Sequence, residues 1–175
     1  RVSLEEAGTG YFTMEPGDEA LVPERPDYSH KGNFGKVLVA AGSKGMSGAA
    51  FLSALAAYRT GAGLVRIFTT EENRAILQTE LPEAIIATYS IREASFGTER
   101  FSEIVKEQCE WAEAIVLGPG LGREDYVKNL VKEVLENAYV PIILDADGLG
   151  AVAANPELTG YFTENIIITP HIGEM

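Results

Sequence analysis

Short apolar runs and longer segments with a helical period alternate along the chain from Lys36 onward. The runs are rich in Val, Ile and Leu, and they are apolar nearly throughout rather than alternately apolar and polar. They predict strands at residues 37–41, 64–69, 84–89, 114–117, 141–144 and 166–169. Because strands of this kind are buried on both faces, the pattern predicts a mainly parallel sheet with helices on both sides.

The segments between the runs predict helices at residues 48–60, 73–81 and 98–110, a helix after Gly122, and a short helix at 149–154. The helix after Gly122 has the clearest period, because its apolar residues form one stripe. That stripe consists of Val127, Leu130, Val131, Val134 and Leu135. A chain of 175 residues fits one domain. We assign residues 1–22 to an N-terminal arm or linker and residues 23–175 to a three-layer α/β/α domain.

Gly, Asp or His residues directly follow four of the predicted strands. Right-handed crossovers place the carboxyl ends of parallel strands along one edge of the sheet, where open α/β sheets bind ligands. The segments concerned are Gly42-Ser43, Gly118-Pro119-Gly120, Asp145-Ala146-Asp147 and Thr169-Pro170-His171. The sequence therefore predicts a ligand site at this edge.

Two glycine-rich segments, residues 42–48 and 118–122, each join a strand to a helix. Their backbone amides are suited to binding phosphate without a basic side chain. The first segment lacks the ending of a P-loop and the G-x-G-x-x-G spacing, so an anion-binding turn and a flexible loop both remain open. The second is either a ligand contact or a tight βα turn. If it contacts ligand, Gly120→Val should weaken binding and change the melting temperature little.

Asp145 and Asp147 lie two residues apart at a strand exit, where extended backbone would point both side chains the same way. Two close carboxylates suit Mg²⁺ or the positioning of a hydroxyl group, whereas an aspartate here also suits a helix cap. We expect Asp145 to face a ligand and Asp147 to be partly structural. His171 is either a hydrogen-bonded loop residue or a ligand contact, and Glu174 is placed to orient it.

The composition argues against some classes of ligand and indicates the cellular compartment. A formal charge of −12 argues against a nucleic-acid ligand, because phosphate backbones are bound by clustered Lys and Arg. No apolar run approaches the roughly 20 residues that span a bilayer, and no export signal is visible. The single cysteine, Cys109, suits a reducing cytoplasm, and its helical period predicts a packed position rather than a reactive thiol.

The order of several short motifs resembles the NAD(P)H-hydrate dehydratase family, which also occurs as the C-terminal domain of a bifunctional nicotinamide-nucleotide repair enzyme. The resemblance covers residues 23–175. The matching segments are residues 30–35 (HKGNFG), 39–43 (VAAGS), 48–50 (GAA), 59–65 (RTGAGLV), 117–122 (LGPGLG), 144–149 (LDADGL) and 169–175 (TPHIGEM). Each motif alone is weak, whereas the ordered set is specific.

The resemblance implies a ribokinase-like fold, of which residues 23–175 form the N-terminal portion, with a sheet that is incomplete at its C-terminal side. An uncovered strand edge favours association, so we expect another subunit of a homo-oligomer, or a second chain with the remaining residues, to shield it. The resemblance also implies a hydro-lyase that uses ADP or ATP, with Mg²⁺, to return hydrated NADH or NADPH to NAD(P)H. The nucleotide phosphorylates the hydroxyl of the hydrate, and loss of phosphate restores the double bond. By similarity the hydrated dinucleotide would contact Gly48, Ala49, the Gly118–Gly120 turn and His171. We add Asp145 to this set as a substrate-binding candidate.

The family also carries a Gly-Gly-Ser/Thr-Gly-Asp segment that forms an anion hole and supplies the base, and these 175 residues do not contain it. We therefore assign no catalytic residue here, expect the catalytic aspartate beyond Met175, and expect the chain alone to be inactive. The opening on Arg1 and the end directly after a strand are consistent with part of a longer protein. A superfamily kinase acting on a vitamin precursor or sugar, and a non-catalytic nucleotide-binding or assembly module, remain alternatives.

Overall fold

The computed structural model describes residues 26–173 together with Gly17 and Glu24. The rest of the predicted arm, the boundary at residue 23 and Glu174 lie outside the described residues. The strands are β1 (Lys36–Ala40), β2 (Leu64–Thr70), β3 (Ile85–Tyr89), β4 (Ala114–Leu117), β5 (Ile142–Leu144) and β6 (Ile166–Ile168). Every strand begins and ends within about one residue of its predicted run, so the apolar runs located the sheet correctly.

The helices are α1 (Ser47–Arg59), α2 (Arg74–Glu80), α3 (Ile91–Phe96), α4 (Glu99–Trp111), α5 (Asp125–Asn137) and α6 (Ala146–Ala154). Single 3₁₀ turns occupy Lys31–Asn33 and Glu71–Asn73, and a longer 3₁₀ segment occupies Pro156–Tyr161. No helix in the described part of the chain has the length and apolar character needed to cross a bilayer.

Helix α3 was not predicted, because it is too short to show a period. Its ends are nevertheless marked in the sequence. The side chain of Ser90 accepts a hydrogen bond from the N–H of Glu93, and Gly97 ends the helix with a left-handed φ of 57°. Thr98 then caps α4 by accepting from the N–H of Phe101.

All strand pairs are parallel, and the strand order is β3-β2-β1-β4-β5-β6. The chain runs outward from β1 through β2 to β3, and then crosses back to β4 on the other side of β1. The strand order therefore reverses between β1 and β4, and this pair is the topological switch point of the sheet.

Apolar side chains cover both faces of the central strands. One face, including Val39 and Ile67, packs against α1 and α2, and the other, including Leu38 and Ile115, packs against α3 to α6. The predicted stripe of α5 is buried along its whole length. Cys109 is buried in α4, and burial raises the pKa of its thiol to about 12. The prediction of a packed cysteine is confirmed.

Candidate functional site

Two loops meet at the switch point, one after β1 and one after β4. The N–H of Gly42 donates to the carbonyl of Pro119 at 2.8 Å, and the N–H of Gly118 donates to the carbonyl of Ala40 at 3.1 Å. These bonds bring together the glycine-rich segments 42–48 and 118–122, which are far apart in sequence. In open α/β sheets the crevice at this point is the usual ligand site.

The glycines of the β4–α5 loop are packed tightly against their neighbours. A Cβ atom at Gly118 would lie 1.8 Å from the carbonyl oxygen of Asp145, and one at Gly120 would lie 2.6 Å from Cβ of Ala49. Both residues also have positive φ, +128° and +64°. The tight-turn interpretation is therefore supported, and any ligand contact at these two glycines is through the backbone. The expectation that Gly120→Val would leave the melting temperature nearly unchanged is wrong, because Val would collide with α1.

Gly48 differs from these two glycines. It is exposed in the first turn of α1, and no atom lies within 4 Å of the position that a Cβ would occupy. Among the described residues, no protein acceptor is bonded to the N–H groups of Gly45, Gly48 and Gly120. A helix start and two glycine turns thus present free amide donors around one crevice, the arrangement that binds anionic groups elsewhere.

Buried polar residues that the sequence analysis did not single out hold the β1–α1 loop. The Thr69 hydroxyl donates to the carbonyl of Gly42 at 3.1 Å, and Nδ2 of Asn73 donates to the carbonyl of Ser43 at 3.2 Å. Asn73 also donates to Thr69 Oγ1 at 3.0 Å. The available signal was a pair of threonines closing a strand that is apolar except for Arg66, since buried polar groups need hydrogen-bond partners.

Asp145 and Asp147 do not point the same way. Oδ1 of Asp145 accepts from the Thr169 hydroxyl at 2.9 Å, whereas Oδ2 of Asp147 accepts from the N–H of Gly122 at 2.9 Å. The expected extended exit is absent because α6 begins at Ala146, three residues earlier than predicted. Asp145, not Asp147, is the N-cap residue, although its side chain makes no capping bond. The expectation that Asp147 is partly structural is confirmed, but through the β4–α5 loop rather than a cap.

His171 follows β6 at the same edge of the sheet. Two strand spacings separate β6 from β4, which is roughly 10 Å, so His171 is not packed against the Gly118–Gly120 turn. It is exposed, and its Nδ1 accepts from the N–H of Gly173 at 2.9 Å. Three of the six candidate residues, Ala49, Gly118 and Gly120, lie in one packed group, and Asp145 lies beside Gly118. The other two, Gly48 and His171, are exposed.

A groove with a volume of about 740 Å³ lies between α5 and α6. Gly122, Arg123 and Asp147 form the side nearest the β4–α5 loop, and none of the six candidate residues lines it. We favour the switch-point crevice as the primary site because two glycine-rich loops and the start of α1 meet there, with amide donors that have no protein acceptor among the described residues. The groove, by contrast, is lined mainly by residues of α5 and α6.

Residues 37–175 match the family model described as NAD(P)H-hydrate dehydratase. The chain belongs to this family. The resemblance deduced from the ordered motifs is therefore confirmed.

Named relatives agree with this assignment. The chain is 37% identical to the bifunctional NAD(P)H-hydrate repair enzyme Nnr of Escherichia coli, over 93% of this chain and 28% of that protein. It is 35% identical to the ADP-dependent (S)-NAD(P)H-hydrate dehydratase of Listeria monocytogenes, over 89% of this chain and 52% of that protein. The chain thus spans about half, or less, of the length of these curated relatives.

Solved structures confirm the ribokinase-like fold. The ADP/ATP-dependent NAD(P)H-hydrate dehydratase of Bacillus subtilis, co-crystallised with ATP/Mg²⁺, is 36% identical with a TM-score of 0.66, and the match covers 87% of this chain and 50% of that one. A ribokinase-like protein of Enterococcus faecalis is 28% identical with a TM-score of 0.67, over 86% and 50% of the two chains.

Mg²⁺ is implied for the family by the resemblance, but the described residues do not form a site for it. No group of three or more His, Cys, Asp or Glu side chains in the described part of the chain is arranged to hold a metal. Asp145 and Asp147 are each bonded to a different neighbouring strand exit. The crevice amides, by contrast, fit phosphate oxygens, which are themselves common partners of Mg²⁺.

Proposed function

We propose that this chain forms the dinucleotide-binding part of a cytoplasmic, ADP- or ATP-dependent hydro-lyase that returns hydrated NADH or NADPH to NAD(P)H. The observation that carries the proposal is that the β4–α5 loop packs on the start of α1 at the switch point, where the N–H groups of Gly48 and Gly120 have no protein acceptor among the described residues. A dinucleotide carries a pyrophosphate, and free amides at glycine turns and a helix start bind such groups without basic side chains. This fits a chain whose formal charge is −12.

The reaction begins with transfer of the terminal phosphoryl group of ADP or ATP to the hydroxyl oxygen of the hydrate. The C–O bond then breaks, inorganic phosphate leaves, and loss of a proton from the adjacent carbon restores the ring double bond. The described residues bind and orient the dinucleotide in this scheme. We assign the base to none of them.

The individual residues have different parts in this proposal. Gly118 and Gly120 shape the turn, since their Cβ directions are filled by protein, and Gly120 presents its N–H to the ligand. Gly48 and Ala49 form the start of α1, where the open space above Gly48 leaves room for a ligand. Asp145 and His171 lie further along the same edge, after β5 and β6.

Gly48→Ala tests the proposal most directly. Alanine favours a helix over glycine by up to about 1 kcal/mol, so the variant should be at least as stable as the wild type. The new methyl group would occupy the space above the α1 start, so NADPH and its hydrate should bind at least about tenfold more weakly, a loss of about 1.4 kcal/mol. Isothermal titration calorimetry measures the affinity, and urea unfolding measures the stability.

Gly160→Ala is the matched control, because Gly160 is exposed and a Cβ there would also meet no atom. This variant should bind NADPH like the wild type. His171→Ala should weaken binding more modestly than Gly48→Ala, with little change in stability. Unchanged affinity in both Gly48→Ala and His171→Ala would exclude this crevice as the dinucleotide site.

The reaction class is tested separately with hydrated NADH and ADP or ATP, in the protein that carries this domain. A dehydratase regenerates the dihydronicotinamide absorbance and releases inorganic phosphate in equal amounts. A kinase of the same superfamily would leave the phosphate on its product, and that result would contradict the proposal.

A further inference from the structure

The exit of β5 is bonded to the exits of both neighbouring strands. β5 lies between β4 and β6 in the sheet. Asp145 accepts from Thr169 after β6, and Asp147 accepts from the N–H of Gly122 after β4. Two aspartates separated by a single residue therefore bond in opposite directions along the edge that carries the candidate site.

The residue between them makes this divergence possible. Ala146 has a φ of 47°, and it is the one non-glycine residue in the described part of the chain with a positive φ. Such a conformation is unfavourable for an alanine and persists only where the surroundings enforce it. Here the N–H of Asp145 donates to the carbonyl of Leu117, and the N–H of Gly148 donates to the carbonyl of Asp145, both at 3.0 Å. Backbone strain at this position thus accompanies the bond from Gly122 to Asp147.

A second side chain holds the same turn from the core side. The hydroxyl of Tyr126, in the first turn of α5, donates to the carbonyl of Leu121 at 3.2 Å. Tyr126 is almost fully buried, and burial raises the pKa of its hydroxyl, so the group remains a donor at neutral pH. The carbonyl of Leu121 and the N–H of Gly122 are both hydrogen-bonded, whereas the N–H of Gly120 has no acceptor among the residues that the structure describes.

We propose that Asp147, assisted by Tyr126, is a positioning residue that fixes the Gly118–Gly122 turn so that the free N–H of Gly120 points into the dinucleotide crevice. The inference rests on the proposed function for its ligand. Asp147 itself does not touch the dinucleotide in this scheme. It acts through the hydrogen bond from Gly122, and the strain at Ala146 is retained because it directs Asp147 to that bond.

The direction of the change in NADPH affinity distinguishes a positioning role of Asp147 from a purely electrostatic one. Removing a carboxylate near a bound pyrophosphate reduces repulsion, so a purely Coulombic role predicts tighter NADPH binding in Asp147→Ala. A positioning role predicts weaker binding. A hydrogen bond to a charged group is among the stronger ones in proteins, so its loss should loosen the turn and lower the affinity by roughly tenfold. Asp147→Asn keeps an oxygen acceptor for Gly122 without the charge, and should restore most of the affinity.

The experiment measures NADPH affinity of the 175-residue chain by calorimetry, and the amide proton of Gly122 by NMR without ligand. Glu124→Ala is the matched control, because it removes one carboxylate from the same loop, and the Glu124 side chain makes no capping bond. We expect Asp147→Ala to shift the Gly122 amide upfield, increase its exchange with solvent and weaken binding. We expect Asp147→Asn and Glu124→Ala to remain close to the wild type in both measurements.

Three results would overturn the inference. The first is wild-type or tighter affinity in Asp147→Ala after the Gly122 bond is lost, and the second is an Asp147→Asn variant that binds as weakly as Asp147→Ala. If Asp147→Ala does not fold, Tyr126→Phe replaces it, because Phe keeps the aromatic ring but lacks the hydroxyl donor. The third overturning result is a Tyr126→Phe variant that binds NADPH with wild-type affinity. If the wild-type chain binds neither NADPH nor its hydrate, the proposed function itself is wrong. The inference then also fails, because the turn would have no dinucleotide to bind.

Discussion

The two halves of the sheet contain similar residues in very different surroundings. Val116, Ile143 and Ile167 are register partners on β4, β5 and β6 and lie on the same face. Val116 packs against the α1 and α2 cluster, whereas Ile143 is 39% exposed and Ile167 is 58% exposed. In the described part of the chain, helices cover both faces of the sheet around β1 and β4. At β5 they cover only the face of Ile142 and Leu144, and at β6 that cover is partial, because Ile168 is 51% exposed.

This difference shows that an apolar β-branched run predicts a strand but not the extent to which it is covered. Around β1 and β4 the two loops and α1 are in contact, so a methyl group added at Gly118 or Gly120 is not accommodated. At β5 and β6 there is open space beside the same kind of side chain. The free-energy effect of a substitution should therefore depend on the half in which it lies.

The largest effect is expected for Gly118→Ala. Its methyl group would lie 1.8 Å from the carbonyl oxygen of Asp145, at a φ of +128°. Overpacking and backbone strain together should lower the free energy of unfolding by at least about 3 kcal/mol. Gly150→Ala in α6 is the control, since its Cβ would meet no atom and the change should raise stability by up to about 1 kcal/mol. Urea unfolding measures the free energy of unfolding of both variants. An equal change in the two would contradict the contrast between the packed turn and the open helix surface.

A second pair compares the same substitution in the two halves. Ile115 on β4 is completely buried, and Ile115→Ala should lower the free energy of unfolding by about 2–5 kcal/mol because it leaves a cavity. Ile167→Ala on β6 should cost less than about 1 kcal/mol, because much of its side chain is already in contact with water. Urea midpoints again provide the measurement. A large loss in Ile167→Ala would mean that another surface covers this strand.

The raised pKa of the Cys109 thiol provides a test of burial in the covered half of the sheet. Burial raises its pKa from 9.0 to about 12, so the folded protein keeps the thiol protonated in a range where the unfolded chain has lost the proton. The stabilisation is complete below about pH 9 and decreases as the pH rises towards 12. Cys109→Ala should therefore flatten the alkaline side of the stability profile, measured by unfolding at several pH values. An unchanged slope, or rapid alkylation of the native protein at neutral pH, would contradict burial of the thiol.

The smallest effect on stability is expected for the double variant Ile143→Thr and Ile167→Thr, which makes the uncovered face polar. An exposed apolar face next to a marginal strand favours association, so we propose that the wild-type chain is a homo-oligomer through this face. The double variant should lower the mass measured by light scattering while changing the urea midpoint little. A monomeric wild-type chain would contradict this proposal.

The sequence by itself determined the local structure. The apolar runs located all six strands, the stripe of Val127, Leu130, Val131, Val134 and Leu135 located the buried face of α5, and the ordered motifs indicated the family. These features could be predicted because strand and helix periods and glycine turns are properties of neighbouring residues. Helix α3 was missed for the same reason, since six residues are too few to show a period.

The tertiary structure alone decided which distant residues share the crevice. Nothing in the local pattern places β1 beside β4, packs Gly120 on Ala49, or directs Asp145 and Asp147 to different strands. The bond from Asp147 to Gly122 spans 25 residues, and the bond from Asn73 to Ser43 spans 30. Contacts over such distances depend on the strand order and on the covering of each face, which are outcomes of packing the whole chain rather than of any one segment.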